Sequence, residues 1–444
     1  MKWLKRILTA LALLLAIAAA APFLYALDDY IPRIEKEVTA RLKEPVTIKS
    51  LRLAVLPVPH ITAGGITVGT TADLTLVKVV VTPDLGSLFA ATKVIKSIEL
   101  TSLVLTQKAL DKIPVWIKAD SARPAAQPAP IRIDSIRLDD ALVKLDKASF
   151  GPFDALVRLN SNGDPLDASI ATRDGKLKAS ITPDQSSYSI AATAKAWTPP
   201  VGPAIEFDEL TIRGVATLTS ADLTEISARL YGGAVNGKAA AAWQKGLQLK
   251  GRLEISRVEL KSLVPLVSPG TRMSGRLNAK PVFSAAVADV NQLLNALHLE
   301  TPFDVQNGIL YGVDIQKAAT SLVKQGATGG ETRFEELSGH LVRDRAAHRF
   351  TQLKISSGAL AAEGNVNISA KQELSGRVNA QVKAVGTSAG VPLNVAGTVQ
   401  SPLMYPTGGT MAGAAVGTLL MPGIGTGLGA KAGQAIENLF GKKK

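Results

Sequence analysis

The chain has 444 residues, of which 46% are apolar and only 5% aromatic, and it contains no cysteine. This composition excludes disorder over most of the chain, and the missing cysteine excludes disulfide bonds, Cys-ligated zinc, iron–sulfur clusters and a cysteine nucleophile. The net charge is +13, but six of the positive charges lie at the two chain ends. The rest are interspersed with acidic residues and form no runs with aromatic residues, which argues against a nucleic-acid-binding surface.

The N-terminal segment has the pattern of a membrane span. Residues 7–27 carry no charge, and about 20 apolar residues are needed to cross the hydrocarbon core as a helix. Three basic residues of the leader at 1–6 orient it with the N-terminus in the cytoplasm and the rest of the chain exported: Lys2, Lys5 and Arg6. A cleaved signal peptide is the alternative, because small residues at 18–20 follow the apolar core. We favour the retained span because the apolar run continues past these residues.

Short amphipathic helices are predicted at three places. Directly after the span, apolar side chains recur every four residues: Tyr30, Ile34, Val38 and Leu42. Pro45 ends this pattern. Two further helical patterns lie at residues 288–298 and after Asp314.

Most of the remaining chain alternates apolar and polar residues with the period of two that is typical of β-strands. Turn-forming pairs predict antiparallel hairpins at Asn162, Asp174, Gly232, Asn236 and Asn307. We therefore predict a mainly β fold with an elongated, one-sided antiparallel sheet. The apolar face is assigned to Ile131, Ile133, Ile136, Leu138, Val143, Leu145, Leu247, Leu249, Leu253, Ile255, Val366 and Ile368.

Proline-rich segments divide the chain, with a Pro/Ala linker at 118–130 and a second break at 197–203. The predicted regions are a cytoplasmic leader at 1–6, a transmembrane helix at 7–27, an N-terminal periplasmic region at 28–117, the linker at 118–130, a middle β region at 131–203, a C-terminal β region at 204–404 and a Gly-rich apolar tail with a basic end at 405–444.

The tail repeats glycine at every fourth position in two runs: Gly409, Gly413 and Gly417, then Gly425, Gly429 and Gly433. This spacing allows two apolar helices to pack closely in a membrane or in a helical hairpin. A flexible tail is the alternative, because glycine is a poor helix former in water. The closing lysines at 442–444 would suit an anionic headgroup surface.

Several segments resemble, in the same order, proteins of the AsmA family of Gram-negative envelopes. At the N-terminus the resemblance lies in DDYIPRIEKEVTARLKEPVTIKSLRLAVLPVPHITAGGITVG, residues 28–69. In the C-terminal half it lies in ARLYGGAVNGKAAAAW from Ala228, FDVQNGILYGVDIQKAATSL from Phe303, TRFEELSGHLVRDRAAHRFTQLKISSGALAAEGNVNI from Thr332 and PLNVAGTVQSPLMYP from Pro392. The turn in VRDRAAHRF lacks the Asn-Gly that is common in the family, and residues 120–203 are placed by continuity alone.

The resemblance implies a periplasmic protein anchored in the inner membrane and similar to bridge-like lipid transfer proteins. In this repeating β-groove type of fold, a long antiparallel sheet curls into a groove, which the apolar positions assigned above would line. The implied function is phospholipid movement between inner and outer membranes and envelope integrity. The implied partners are phospholipid acyl chains, the inner membrane and an envelope protein contacted through the tail. The alternative is a scaffold that assists outer-membrane protein assembly without transporting lipid.

The sequence offers little for catalysis. The four histidines are scattered, outside any pattern of a catalytic triad or a metal-binding helix: His60, His298, His340 and His348. Nucleophile-elbow, Walker and zinc-protease motifs do not occur in the sequence. We therefore predict no catalytic residue, no metal site, no cofactor and no enzymatic activity.

Overall fold

The computed structural model describes residues 27–87, 89–113, 131–146, 148–200, 202–217, 219–244, 246–288, 292–320, 329–384, 387–408 and 434. The chain forms two compact units that divide between Gly202 and Pro203. Both units are built mainly from β-strands.

The first unit begins with a 3-10 turn at Leu27–Tyr30 and helix α1 at Ile31–Leu42. Its strands are β1 (Val46–Thr47), β2 (Ser50–Ala54), β3 (His60–Val68), β4 (Leu74–Pro83), β5 (Lys93–Thr101), β6 (Val104–Thr106), β7 (Ile131–Ile133), β8 (Ser135–Lys144), β9 (Ser149–Leu159), β10 (Pro165–Thr172), β11 (Leu177–Asp184) and β12 (Ser187–Trp197). A 3-10 turn at Leu85–Ser87 lies between β4 and β5, and residues 107–113 form helix α2.

The second unit contains β13 (Phe207–Ala216), β14 (Ser220–Leu230), β15 (Gly233–Ala242), β16 (Leu247–Glu259), β17 (Met273–Ala279), β18 (Val282–Val287), β19 (His298–Tyr311), β20 (Glu331–Asp344), β21 (Ala347–Ser356), β22 (Leu360–Ile368), β23 (Leu374–Ala384), β24 (Thr387–Gly397) and β25 (Pro402–Pro406). Its helices are α3 (Leu260–Val267), α4 (Leu293–Ala296) and α5 (Ile315–Thr320).

The second unit is antiparallel throughout its described ladders. Each strand from β13 to β16 pairs with the next, and so does each strand from β19 to β25. Between these series, β17 and β18 both pair with β16 on one side and β19 on the other. They therefore act as one strand that is interrupted at Lys280 and Pro281.

The first unit departs from the predicted antiparallel order at one junction. β4 pairs antiparallel with β5 and β6, but β5 and β6 pair in parallel with β7 and β8. Parallel neighbours need a crossover connection of about a dozen residues or more, and the sequence between Thr106 at the end of β6 and Ile131 at the start of β7 is long enough for one. The prediction of a mainly β fold with a mostly antiparallel sheet and a few short helices is confirmed, and this junction is a parallel exception that the sequence did not indicate.

Two predicted hairpin turns lie inside strands. The pairs at Asn162, Asp174 and Gly232 do fall between consecutive strands, whereas Asn236 belongs to β15 and Asn307 to β19. Asn307 has a φ of 50°, which is typical of a bulge rather than of a regular strand.

The helix predicted at 288–298 is present in shortened form. In the segment 288–298 helix α4 covers only four residues, because His298 already begins β19. No helix within the described ranges is both long and apolar enough to cross a bilayer. The span predicted at 7–27 lies outside those ranges except for Leu27, which forms part of a 3-10 turn.

Side chains of helix α1 and the turn before it accept hydrogen bonds from the sheet edge formed by β1 and β2. Among the described residues, β1 and β2 pair with β3 alone. Backbone N–H groups along this edge donate to side chains of the helical segment: Val46 to Thr39 Oγ1 at 3.1 Å, Ile48 to Glu35 Oε1 at 2.7 Å and Leu51 to Asp28 Oδ1 at 2.9 Å. Free edge N–H groups would invite pairing with another chain. The helical segment therefore provides acceptors for the N–H groups of this edge without adding a strand.

We expect Glu35→Ala to lower the free energy of unfolding of the first unit by about 1–2 kcal/mol, because the Ile48 N–H loses a charged acceptor. Glu35→Gln keeps an acceptor oxygen and should lose much less. Urea unfolding gives the free energy, and hydrogen exchange across residues 46–51 locates the effect. Equal loss in both variants would show that the hydrogen bond is not the cause.

A buried carboxylate joins three segments of the first unit. Asp73 is 3% exposed and accepts hydrogen bonds from Thr71 Oγ1 and from Lys112 Nζ at 2.8 Å. Lys112 also contacts Glu44 Oε1 at 2.8 Å. The hydrogen bonds from Lys112 and then from Thr71 hold the pKa of Asp73 below its ordinary value. The cluster thus connects the segment after α1, the β3–β4 turn and α2.

Because the folded pKa of Asp73 lies below its unfolded value of about 3.9, its ionised form stabilises the fold above that pH. This stabilisation is lost as the pH falls through the folded pKa. Asp73→Asn should therefore lower the urea midpoint at neutral pH and weaken its acid dependence, measured by circular dichroism. Asp146→Asn, at an exposed carboxyl after β8, is the control. An unchanged acid profile in Asp73→Asn would contradict the prediction.

Candidate ligand-binding face

The apolar side chains of the second unit share one face because opposed residues of paired strands point to the same side of a sheet. One row crosses the strands from β13 to β24, with a register shift between β20 and β21. It consists of Leu210, Ala228, Val235, Ile255, Ala279, Phe303, Gly339, Leu353, Gly364, Val378 and Leu393. We call this side of the second unit the apolar face.

The six predicted positions in the second unit all lie on the apolar face. Along β16, half-buried side chains alternate with exposed polar residues such as Gln248. The half-buried side chains are Leu247, Leu249, Leu253 and Ile255. Val366 lies opposite Phe350, and Ile368 lies opposite His348 and Leu374. Both are half-buried as well.

Short helices cover part of the face. Leu260 of α3 and Ile315, Ala318 and Ala319 of α5 are buried. They belong to a core cluster with strand residues that include Val305, Phe334, Ile355, Leu360, Ala362, Ala380 and Leu393. Complete burial is therefore concentrated on β19–β25, while the four predicted residues of β16 keep access to solvent.

Glycines on the apolar face are covered by large side chains of neighbouring strands. A Cβ atom at Gly251 would collide with the ring of Phe283, and one at Gly308 with the ring of Phe334. Gly237 similarly lies beneath Leu253. Large side chains lie over the bare backbone in these places, which flattens the face. Sequence reasoning did not predict that side chains cover these glycines. It did place Gly251 on the apolar side of the β16 alternation.

The predicted positions of the first unit are less uniform. Ile136 and Leu138 lie opposite Ile98 and Leu100 in the parallel ladder. Leu138 and Val143 contact a core cluster formed by Leu103, Ala141 and Phe153. The remaining three positions lie elsewhere: Ile131 is 53% exposed, Ile133 is in β7 and Leu145 follows β8 in the turn to β9.

Two sets of predicted residues lie outside the described residues. They are the orienting residues Lys2, Lys5 and Arg6 and the tail glycines Gly409, Gly413, Gly417, Gly425, Gly429 and Gly433. The contact proposed for the tail stays a prediction from sequence.

Two histidines of the sheet have defined neighbours. His340 Nε2 lies 2.9 Å from Glu300 Oε1. His348 is aligned with Arg343 and Ile368 at one end of the apolar face. Burial, and secondarily Arg343, lowers the pKa of His348, so its neutral form is favoured there. Across the part of the chain that the structure describes, no group of three His, Asp or Glu side chains could hold a metal ion.

A depression of about 870 Å³ lies against β20–β24. Part of its lining belongs to the apolar row, including Phe303, Leu353 and Val378, and part is polar, including Lys354 and Glu363. The depression therefore adjoins the apolar face at these strands.

No family model, curated protein or solved structure matches the chain. The resemblance to the AsmA family accordingly stays a prediction from the sequence. The face itself is the basis for the function proposed below.

We expect Gly251→Ala to destabilise the second unit by about 1–3 kcal/mol, the usual cost of overpacking, because the new methyl group would collide with the Phe283 ring and with the Lys238 carbonyl oxygen. Phe283→Leu in the same chain should reduce this loss, since the shorter side chain can move aside. Urea unfolding of the wild type, both single variants and the double variant measures the coupling. Additive losses would contradict the assigned contact.

Proposed function

We propose that this chain binds phospholipid acyl chains on the apolar face and supports phospholipid movement between the inner and outer membranes, thereby maintaining envelope integrity. The observation that carries the proposal is the half-buried aliphatic row on β16, which continues across the neighbouring strands with polar residues on the opposite side. The ordered segments that resemble AsmA proteins support the placement between two membranes.

The chemistry of the face suits hydrocarbon chains. Monomeric proteins rarely leave large contiguous apolar patches open to water. Each square ångström of apolar surface that a ligand removes from water contributes ~25 cal/mol. Leucine, isoleucine and alanine offer dispersion contacts along the whole length of an acyl chain without fixing a specific orientation.

We propose that the sheet of the second unit curls into a groove. Gln400, in the β24–β25 turn, lies beside Gly270 after helix α3, and Pro402 lies beside Gly312 after β19. Turn segments that flank strands far apart in the ladder thus approach each other, which supports strong coiling of this sheet. A coiled sheet with its apolar side inward would shield acyl chains from water.

We further propose that residues 7–27 anchor the chain in the inner membrane, with the described residues in the periplasm. The support is the charge-free segment preceded by basic residues. In this arrangement lipids would enter from the same membrane that holds the chain.

Native mass spectrometry of the full chain, extracted in mild detergent, tests for bound lipid. We expect co-purified phospholipid that survives washing. A folded chain that is free of lipid would count against the proposal and would favour the alternative, a scaffold that assists outer-membrane protein assembly.

We expect Leu249→Asp to reduce the phospholipid retained per protein several-fold, because a carboxylate on the face would have to lose its water to contact hydrocarbon. Gln248→Asp is the matched control, since it introduces the same charge one residue away on the exposed side. Leu253→Asp is a second test on the face. Circular dichroism confirms folding, and equal retention in the face variants and the control would refute the assignment.

A further inference from the structure

Two neighbouring turns at one end of the first unit expose apolar side chains. The fractional exposures are 49% for Leu56, 48% for Val58, 48% for Leu85 and 98% for Phe89. The first pair lies between β2 and β3, and the second between β4 and β5. Because Ile61 of β3 lies opposite Val81 of β4, both turns project from the same end of the sheet. We call these residues the apolar tips.

Four backbone N–H groups in and next to the second turn have acceptors within it. Ser87 N–H donates to Asp84 O, and Gly86 N–H donates to the Asp84 side chain. Ala90 N–H donates to Ser87 O, and Val94 N–H donates to Ser87 Oγ at 2.8 Å. Polar groups that already have partners can enter an apolar medium at little cost. The N–H groups of these residues around Phe89 therefore do not need water.

The first turn has few backbone N–H donors because it contains two prolines. Pro57 and Pro59 have no N–H, so two backbone donors are missing from it. The Val58 carbonyl oxygen lies 2.8 Å from His60 Nδ1. The apolar side chains of both turns are therefore combined with few unsatisfied backbone donors.

The tips lie toward the end of the unit where helix α1 begins. Asp28 contacts Leu51, whereas Thr39 contacts Val46, so α1 runs antiparallel to β1 and β2. The four residue steps from Leu51 to Val55 span roughly 13 Å at the usual strand rise. The chain segment that leads back to the predicted membrane span therefore leaves the unit near the tips.

We propose that the apolar tips insert into the headgroup region of the bilayer from which the chain emerges. Phe89 and Leu85 would enter the interface. The exposed Lys96, which lies 3.6 Å from Asp84 at the base of the turn, would face anionic headgroups. This docking would hold the first unit against the membrane independently of whether the second unit carries lipid.

The chain contains no cysteine, so a single introduced thiol can be labelled selectively. Phe89→Cys, carrying an environment-sensitive dye, is reconstituted as the full chain in vesicles of phosphatidylethanolamine and phosphatidylglycerol. We expect nitroxide-labelled lipids to quench this dye several-fold more than a dye at Ala72→Cys, which is exposed in the β3–β4 turn at the opposite end. Val58→Cys should behave like Phe89→Cys.

Equal quenching at positions 89 and 72 would overturn the inference. So would a dye at position 89 that is shielded from water-soluble quenchers but not reached by lipid nitroxides, because a protein contact would then cover the tips. Lipid retention by the second unit is measured separately, so either proposal can fail while the other stands.

Discussion

The two-residue period of the strands is the constraint on which the rest of the structure depends. It assigns apolar and polar side chains to opposite sides of the sheet, and antiparallel register extends the separation from one strand to the next. A sheet built in this way has one side that must be kept from water. In the second unit, α3 and α5 pack against part of that side. On β16 the leucines remain half-buried, and an apolar ligand would complete their burial.

Glycine contributes to the face by its lack of a side chain. Phe283 and Phe334 lie over Gly251 and Gly308, so bulky rings lie flat along the sheet instead of standing upright. Phe283 and Phe334 therefore contribute to packing on the face.

Much of the fold could be predicted because alternation is local. The strand β16 and its apolar residues follow directly from the sequence, as do the turns at Asn162 and Asp174. The turns predicted at Asn236 and Asn307 were wrong, because the glycine after each lies within a strand beneath a side chain from a neighbouring strand. Such a contact depends on register between strands that the local sequence does not specify.

Other features depend on contacts between distant residues. The parallel junction of β5 with β8 requires a crossover whose direction no periodicity reveals. The acceptors that α1 offers to the strand edge, such as Glu35, resemble ordinary surface residues in the sequence. The candidate site was found in part: its β16 residues lie together with Val366 and Ile368 on one face, but the first-unit positions divide among a core cluster, an exposed strand end and a turn.

Site-specific photocrosslinking in living cells tests the central claim most directly. A photoreactive amino acid is placed at Leu249 on the apolar face or at Gln248 on the exposed side of the same strand. If acyl chains lie on the apolar face, we expect phospholipid adducts at position 249 and few at position 248. Equal labelling at both positions, or protein adducts in place of lipid adducts at position 249, would contradict the account.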